Sequence, residues 1–422
     1  MTHGPVPDQG RTAPPTAERR DRATARIPQV DALRGFALLG ILIVNIGYLA
    51  SAYHGSGIED PAFRSPLDQA VRAVVAVFFE AKFFLLFSFL FGYSFTLQMD
   101  SAERRGARFV PRFLRRLSGL FVLGAVHAVV LFPGDILTTY AVLGVVLLTL
   151  RRLRPRMATA VAVVLLAVVG AAYALIALGL HAAGGAGVDP AAAETAAGAA
   201  EALRGDAASV VGAHLAELPD VLFLLVFFQA PSALAAFLFG LAAGRRRVLA
   251  EPLAHGRTLV RLQWVGFTVG LAGGLVYAHA SLAHPGGAYQ VLALGVDVVT
   301  APLLAAAYAA TVLRMFSGRY GSRLTDALAP PGRMALTHYL GQSLVCALLF
   351  TGYGAALVGR VSPLGTVVIA LALFAAQAVV SRWWLRHHPY GPLEWLLRVW
   401  TTLAPQPFRR RDGAAGGPGA AG

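Results

Sequence analysis

The chain reads as long apolar runs separated by short polar connections, with no sustained alternation of the kind that marks strands. Runs near the ~20 residues that a helix needs to cross a bilayer recur along its length. They predict ten membrane helices, at about 35–53, 78–99, 113–132, 135–151, 157–181, 219–243, 262–282, 289–313, 334–357 and 363–386. The expected fold class is all-α, a polytopic transmembrane helical bundle occupying 30–403. Polar, Pro- and Arg-rich ends at 1–29 and 404–422 read as disordered tails. The Ala/Gly-rich stretch 182–218 reads as an extracytoplasmic excursion with a short helix over Ala191–Leu203 and no site of its own. "FLFG" occurs at 89–92 and again at 237–240, but four common membrane residues do not establish a repeat. Small residues in such places mark close helix packing.

Composition supports the membrane reading. Of 422 residues, 56% are hydrophobic and 14% charged, and the mean hydropathy is +0.61. A soluble domain carries about 25% charged residues. The net charge of +14 would suggest nucleic acid in a soluble protein. Here the Arg residues flank apolar runs, so topology and anionic membrane lipid account for them, and no nucleic-acid partner is expected. Arg-rich connections (104–116, 151–156, 244–247, 314–333 and 409–411) alternate with Arg-poor ones (132–135, 182–218 and 283–288). The positive-inside rule then predicts cytoplasmic N and C termini in a bacterial-type inner membrane. The first 29 residues hold no apolar stretch followed by a cleavage site, so no signal peptide is expected. The single cysteine, Cys346, excludes an intramolecular disulfide and a Cys-cluster metal site, and no metal is expected.

Ionisable groups inside spans are costly and are candidates for function. Lys82 is the only Lys among 36 basic residues, so a compact ammonium is wanted there where Arg serves everywhere else. The plain alternative is a Lys snorkelling outward beside Glu80. His127 and Asp135 flank a helix end at "FPG", with Asp135 in position to cap the next helix. A hairpin there can join imidazole and carboxylate into a poised base; a cap and a packed histidine is the alternative. Asp31 and Arg34 stand at the mouth of the first helix, where Asp31 can cap and Arg34 can hold Asp31 or a phosphate. Asn45, Asp297, Thr337, His338, Gln342 and Ser343 either line a cavity or bond between helices, while His54, in the loop after the first helix, is a candidate whose plain alternative is a surface histidine.

Taken together, "DALRGFALLGILIVNI" at 31–46, "KFFLLFSFLFG" at 82–92, "HAVVLFPGDILTTYAVLG" at 127–144, "GRMALTHYLGQSL" at 332–344 and "GPLEWLLRVWT" at 391–401 resemble the YeiB family of bacterial inner-membrane proteins. The opening D-x-x-RG…VN is also similar to that of the heparan-α-glucosaminide N-acetyltransferase family. That resemblance implies passage of an acetyl group from cytoplasmic acetyl-CoA to a sugar amine by means of a histidine, and the matching position is His54.

Two functions follow as expectations. In the first, the chain is a transmembrane acyltransferase. Arg34 and Arg333 receive the phosphates of the donor substrate acyl-CoA, His127 acts as base or acyl carrier oriented by Asp135, and Lys82 steadies the oxyanion or the acceptor. The acceptor is an extracytoplasmic or lipid-linked amine or hydroxyl, on a small molecule or a glycan, and the donor arm must thread the bundle from one face to the other. In the second, the chain is a transporter or lipid/quinone-binding protein, with Lys82, Glu80, Asp135 and Asp297 forming a pathway. Interrupted helices and an inverted repeat would favour the second, and the sequence shows no convincing repeat.

Overall fold

The computed structural model describes residues 27–54, 58, 60–184 and 190–410. The greater part of both tails therefore lies outside the described residues. Every regular element among the described residues is helical: α1 Pro28–Ala50, α2 Pro66–Phe78, α3 Lys82–Arg104, α4 Phe109–Val130, α5 Leu137–Thr149, α6 Pro155–Ala182, α7 Pro190–Arg204, α8 Ala207–Leu224, α9 Ala230–Arg245, α10 Gly256–Val265, α11 Leu271–Ala283, α12 Ala288–Phe316, α13 Gly321–Arg333, α14 Ala335–Phe350, α15 Pro363–His387 and α16 Pro392–Thr402. Single wide turns, Leu225–Gln229 and Gly266–Gly270, join α8 to α9 and α10 to α11. Eight helical stretches among the described residues are long and apolar enough to cross a membrane. This is a multi-pass membrane protein.

Several boundaries differ from the sequence reading. The first helix starts at Pro28, so Asp31 lies in its first turn and does not cap it. The predicted span 135–151 is reduced to α5, whose 13 residues reach only ~20 Å against a hydrocarbon core of ~30 Å. The predicted span 334–357 is reduced to the 16 residues of α14. Apolar loop residues such as Leu131, Phe132 and Ile136 extend the hydropathy signal past the helix ends. The predicted span 78–99 breaks at 79–81, where Ala81 has φ +61°. Residues 404–410 fold back on α15: the Arg410 N–H donates to His387 O at 2.8 Å, and Phe408 packs edge-on against His388 at 4.9 Å.

The two "FLFG" segments lie face to face where α3 crosses α9. A side chain on Gly92 would run into the carbonyl of Phe237, and one on Gly240 into the carbonyl of Phe89. Phe91 stacks on Phe237 at 4.6 Å. That reciprocity is part of a longer repeat. Val-Phe-Phe-(Glu/Gln)-Ala, Phe-Leu-Phe-Gly, Pro-Gly and Leu-Gly-Val begin at Val77, Phe89, Pro133 and Leu143, and recur in the same order at Val226, Phe237, Pro285 and Leu294. The packing repeats with them. α1 lies on α3 as α6 lies on α9; α4 pairs with α5 as α11 pairs with α12; α3 touches α12 as α9 touches α5. Both copies of the Val-Phe-Phe motif coincide with an interruption, the break at 79–81 and the wide turn at 225–229.

Candidate functional site

Three polar clusters sit in this bundle. In the first, His127 lies near the end of α4 and Asp135 precedes α5. His127 Nδ1 and Asp135 Oδ1 are 2.9 Å apart, and both side chains are buried. The other carboxylate oxygen accepts from the Thr138 N–H at 2.8 Å and the Thr138 hydroxyl at 3.0 Å. Asp135 thus caps α5 and holds the imidazole with the same group. Gly124 makes this possible, because a Cβ there would stand 2.5 Å from Asp135 Oδ2. With Nδ1–H given to the carboxylate, the lone pair is on Nε2. Among the described residues, His127 Nε2 is buried without a hydrogen-bond partner, and the Tyr339 ring lies 5.1 Å from the imidazole.

The hairpin tip is covered. α8 packs against α4, and His214 Nδ1 meets the Val129 carbonyl at 3.1 Å. The 182–218 stretch, expected to carry no site, thus contributes the cover over the dyad. It is anchored at its corner by Arg204, which donates twice to Val358 O, at 3.0 and 2.9 Å.

The second cluster is a buried ion pair. Lys82 opens α3 immediately after the left-handed Ala81, and its ammonium donates to both oxygens of Asp297, at 2.8 and 3.0 Å, and to Ala76 O at 3.1 Å. Lys82 is 0% exposed. It does not snorkel, and Glu80 is not its partner. Glu80 instead accepts from the Tyr277 hydroxyl at 2.7 Å and lies 3.8 Å from His54 Nε2. Burial, followed by the nearby Arg72, pulls the His54 imidazole below its ordinary range, while Glu80 works against both. His54, Glu80, Tyr277 and Tyr48 line a cavity of ≈ 170 Å³. No hydrogen bond or ion pair among the described residues joins this group to His127.

The third cluster lies at the Arg-rich end. Arg34 pairs with Asp31 at 2.8 Å and also donates to Ser94. Gly35 and Gly332 let α1 and α13 meet backbone to backbone, which accounts for the glycines in "DALRG" and "GRM". Arg333 reaches Pro389 O at 3.5 Å. Glu394, which sequence reasoning passed over, caps α14 from another helix: it accepts from the N–H groups of Leu336 and Thr337, at 2.7 and 3.1 Å, and from the Thr337 hydroxyl at 2.6 Å. Burial pushes its carboxyl above the usual range, and the Thr337 bonds pull it back. Arg116 lies within electrostatic reach of Arg34 and Glu394, and its Nε is buried without a partner.

The remaining candidates are interhelical. His338 Nε2 meets the Ser381 hydroxyl, Gln342 donates to Gln377 at 2.8 Å, and Gln377 donates to the His338 carbonyl at 3.2 Å. Ser343 bonds its own helix at Tyr339 O. Asn45 is half-buried on α1. Among the described residues, no group of three or more His, Cys, Asp or Glu side chains is placed to hold a metal.

Comparison with known proteins places this arrangement. Residues 243–404 match the family model described as a protein of unknown function, DUF418. YxaH, an uncharacterized protein of Bacillus subtilis (strain 168), is 33% identical over 409 residues, covering 92% of this chain and 96% of its own. The chain belongs to the YeiB-like DUF418 family. A 39.9 kDa protein encoded in the amylase 3′ region of Bacillus acidopullulyticus is 29% identical, with 89% of this chain and 94% of its own covered. YeiB of Escherichia coli (strain K12) is 28% identical, with 90% and 97% covered. The family match includes α14, Glu394 and Asp297 and leaves out His127, Lys82 and Arg34, whereas the relatives' matches cover 89–92% of this chain.

Proposed function

We propose that this family member is a transmembrane acyltransferase with His127 as its general base. The observation that carries the reading is the buried His127–Asp135 dyad, with one nitrogen fixed by a carboxylate at 2.9 Å and the other left without a partner. Most buried polar side-chain atoms are hydrogen-bonded, so an open nitrogen opposite a fixed one is the feature of this dyad that suits a base. In the reaction, Nε2 takes the proton of an acceptor amine or hydroxyl as that atom attacks the thioester carbonyl of acyl-CoA. The C–S bond breaks, and the CoA thiolate leaves with the proton that the imidazolium returns. Asp135 holds the tautomer and steadies the imidazolium. The donor's phosphates meet Arg34, with Arg333 and Arg116 near the same end.

Short helices ease the distance between donor site and base. Eleven residues of α4 separate Arg116 from His127, about 16 Å at the rise of an α-helix. Tyr339, five residues into α14, already touches the imidazole. Lys82 has no part in this step, because Asp297 and Ala76 take its three donors. Native mass spectra of the protein in nanodiscs with acetyl-CoA test the reading. A CoA-sized adduct or an added acetyl mass, lost in Arg34→Ala, is expected. A co-purified lipid or quinone with no adduct in the parent protein would defeat it.

A second reading, proton-coupled transport, is favoured by the repeated halves and by the interruption beside Glu80 and Lys82, features shared with transporter folds. It requires a gradient and no thioester.

A further inference from the structure

His127 and Asp135 are not among the residues lining the cavity beside His54, and the charges of that cavity do not close on themselves. Asp60, one of its lining acids, is occupied by the Ser51 hydroxyl at 2.6 Å and the Ala62 N–H at 3.0 Å. The Lys82 ammonium next to it belongs to Asp297. Two charged groups are left facing the space. Glu80 has only the neutral Tyr277 hydroxyl and the His54 ring for company, and burial keeps that ring neutral at pH 7. Arg72, on α2, lines the same cavity and forms no ion pair among the described residues. A carboxylate and a guanidinium in one cavity wall, both partly buried and not paired with each other, are each costly without a counter-charge.

We infer that the Arg72–Glu80 cavity is a binding site for a small zwitterion, with the ligand's ammonium at Glu80 and its carboxylate or phosphate at Arg72. Aromatic residues line the ammonium end: the Tyr277 hydroxyl donates to Glu80, and Tyr48 packs on His54, whose Nε2 lies 3.8 Å from Glu80. The guanidinium suits the acid end, where it can donate two parallel bonds. A simple cation would leave Arg72 unpaired, and a simple anion would leave Glu80 unpaired. Free amino acids and phosphoethanolamine headgroups share the required chemistry. The site stands independently of acyl transfer at His127.

The test uses the full chain in nanodiscs of phosphatidylglycerol alone, so that no lipid supplies a zwitterion. Thermal unfolding is titrated with glycine, 4-aminobutyrate and O-phosphoethanolamine, and with methylammonium and acetate as half-ligands. At least one zwitterion raises Tm saturably, and binds at least tenfold more tightly than either half-ligand. Arg72→Gln and Glu80→Gln each weaken that binding tenfold or more, while Arg72→Lys stays within a few-fold of the parent. A response to O-phosphoethanolamine alone assigns the site to a headgroup, and a response to the amino acids assigns it to a soluble ligand. The inference is overturned if no zwitterion shifts Tm, if a half-ligand binds equally well, or if Arg72→Gln, itself folded with the parent's Tm, binds like the parent.

Discussion

Two acid–base pairs are fully buried among the described residues, and they differ in what is left over. Lys82 and Asp297 come from residues 215 apart in the chain, and every donor of the ammonium is used. His127 and Asp135 are eight residues apart, and one imidazole nitrogen remains unused. A saturated pair resists change: removing either partner strands a charge, and nothing in the pair is free to react. The unsaturated pair leaves one nitrogen open, which is what the proposed base needs. The first ties α3 to α12 across the repeat, and the second sits within one half of it. Under the repeat, Asp297 corresponds to Val146, since each follows a Leu-Gly-Val. Only one of the two equivalent helix contacts carries a charge pair.

The largest expected effect tests the saturated pair. Asp297→Ala leaves Lys82 buried and unpaired, and should cost ~3–5 kcal/mol of stability. The double change Lys82→Met with Asp297→Leu removes both charges and should recover most of that loss, as read by thermal unfolding in detergent. If the double variant is as unstable as the single, the pair does more than balance its own charges. Next comes the crossing of the halves. Gly92→Ala and Gly240→Ala each press a methyl into the opposite helix's carbonyl, and each should cost ~1–3 kcal/mol. Equal losses at the two positions would support the repeat; a loss at one alone would break its symmetry.

A smaller effect separates the dyad from the fold. Gly124→Ala pushes Asp135 from its place beside Thr138 and His127. It should cost ~1–2 kcal/mol through the lost cap, yet reduce acyl transfer about a hundredfold by freeing the imidazole. Activity and stability measured on the same preparation distinguish the two. The smallest effect concerns His54. Its folded pKa is lowered, so the unfolded chain binds more protons as pH falls below about 6.5. The stability from keeping it neutral is present above that pH and lost on acidification through its folded pKa. His54→Gln should therefore flatten the acid side of the stability profile, and an unchanged slope would contradict the assignment.

The membrane class and the Arg-marked helix ends were legible because each is local. The His127–Asp135 contact was legible only as one of two possibilities: a Pro-Gly turn puts both residues near one helix end, but a cap and a separately packed histidine fit the same residues. The Lys82–Asp297 pair was not legible, although each residue stood out as a costly charge, because nothing local records a partner 215 positions away. Glu394 escaped notice because it resembles an ordinary acid in the first turn of an amphipathic helix, and its acceptors belong to α14. Its signal was Gly391, where a side chain would collide with the Glu394 carboxylate. The repeat was half visible in "FLFG". The Val-Phe-Phe motif preceding it differs in spacing by one residue, so a fixed-register comparison loses it.

The central claim is that chemistry belongs to the unsaturated pair and structure to the saturated one. The most direct measurement is single-turnover release of CoA from acetyl-CoA in proteoliposomes, using the parent, His127→Ala and the double variant Lys82→Met/Asp297→Leu. The account predicts release by the parent and by the double variant, and none above background from His127→Ala. Release that survives His127→Ala but is lost in the double variant would contradict it and move the chemistry to Lys82 and Asp297.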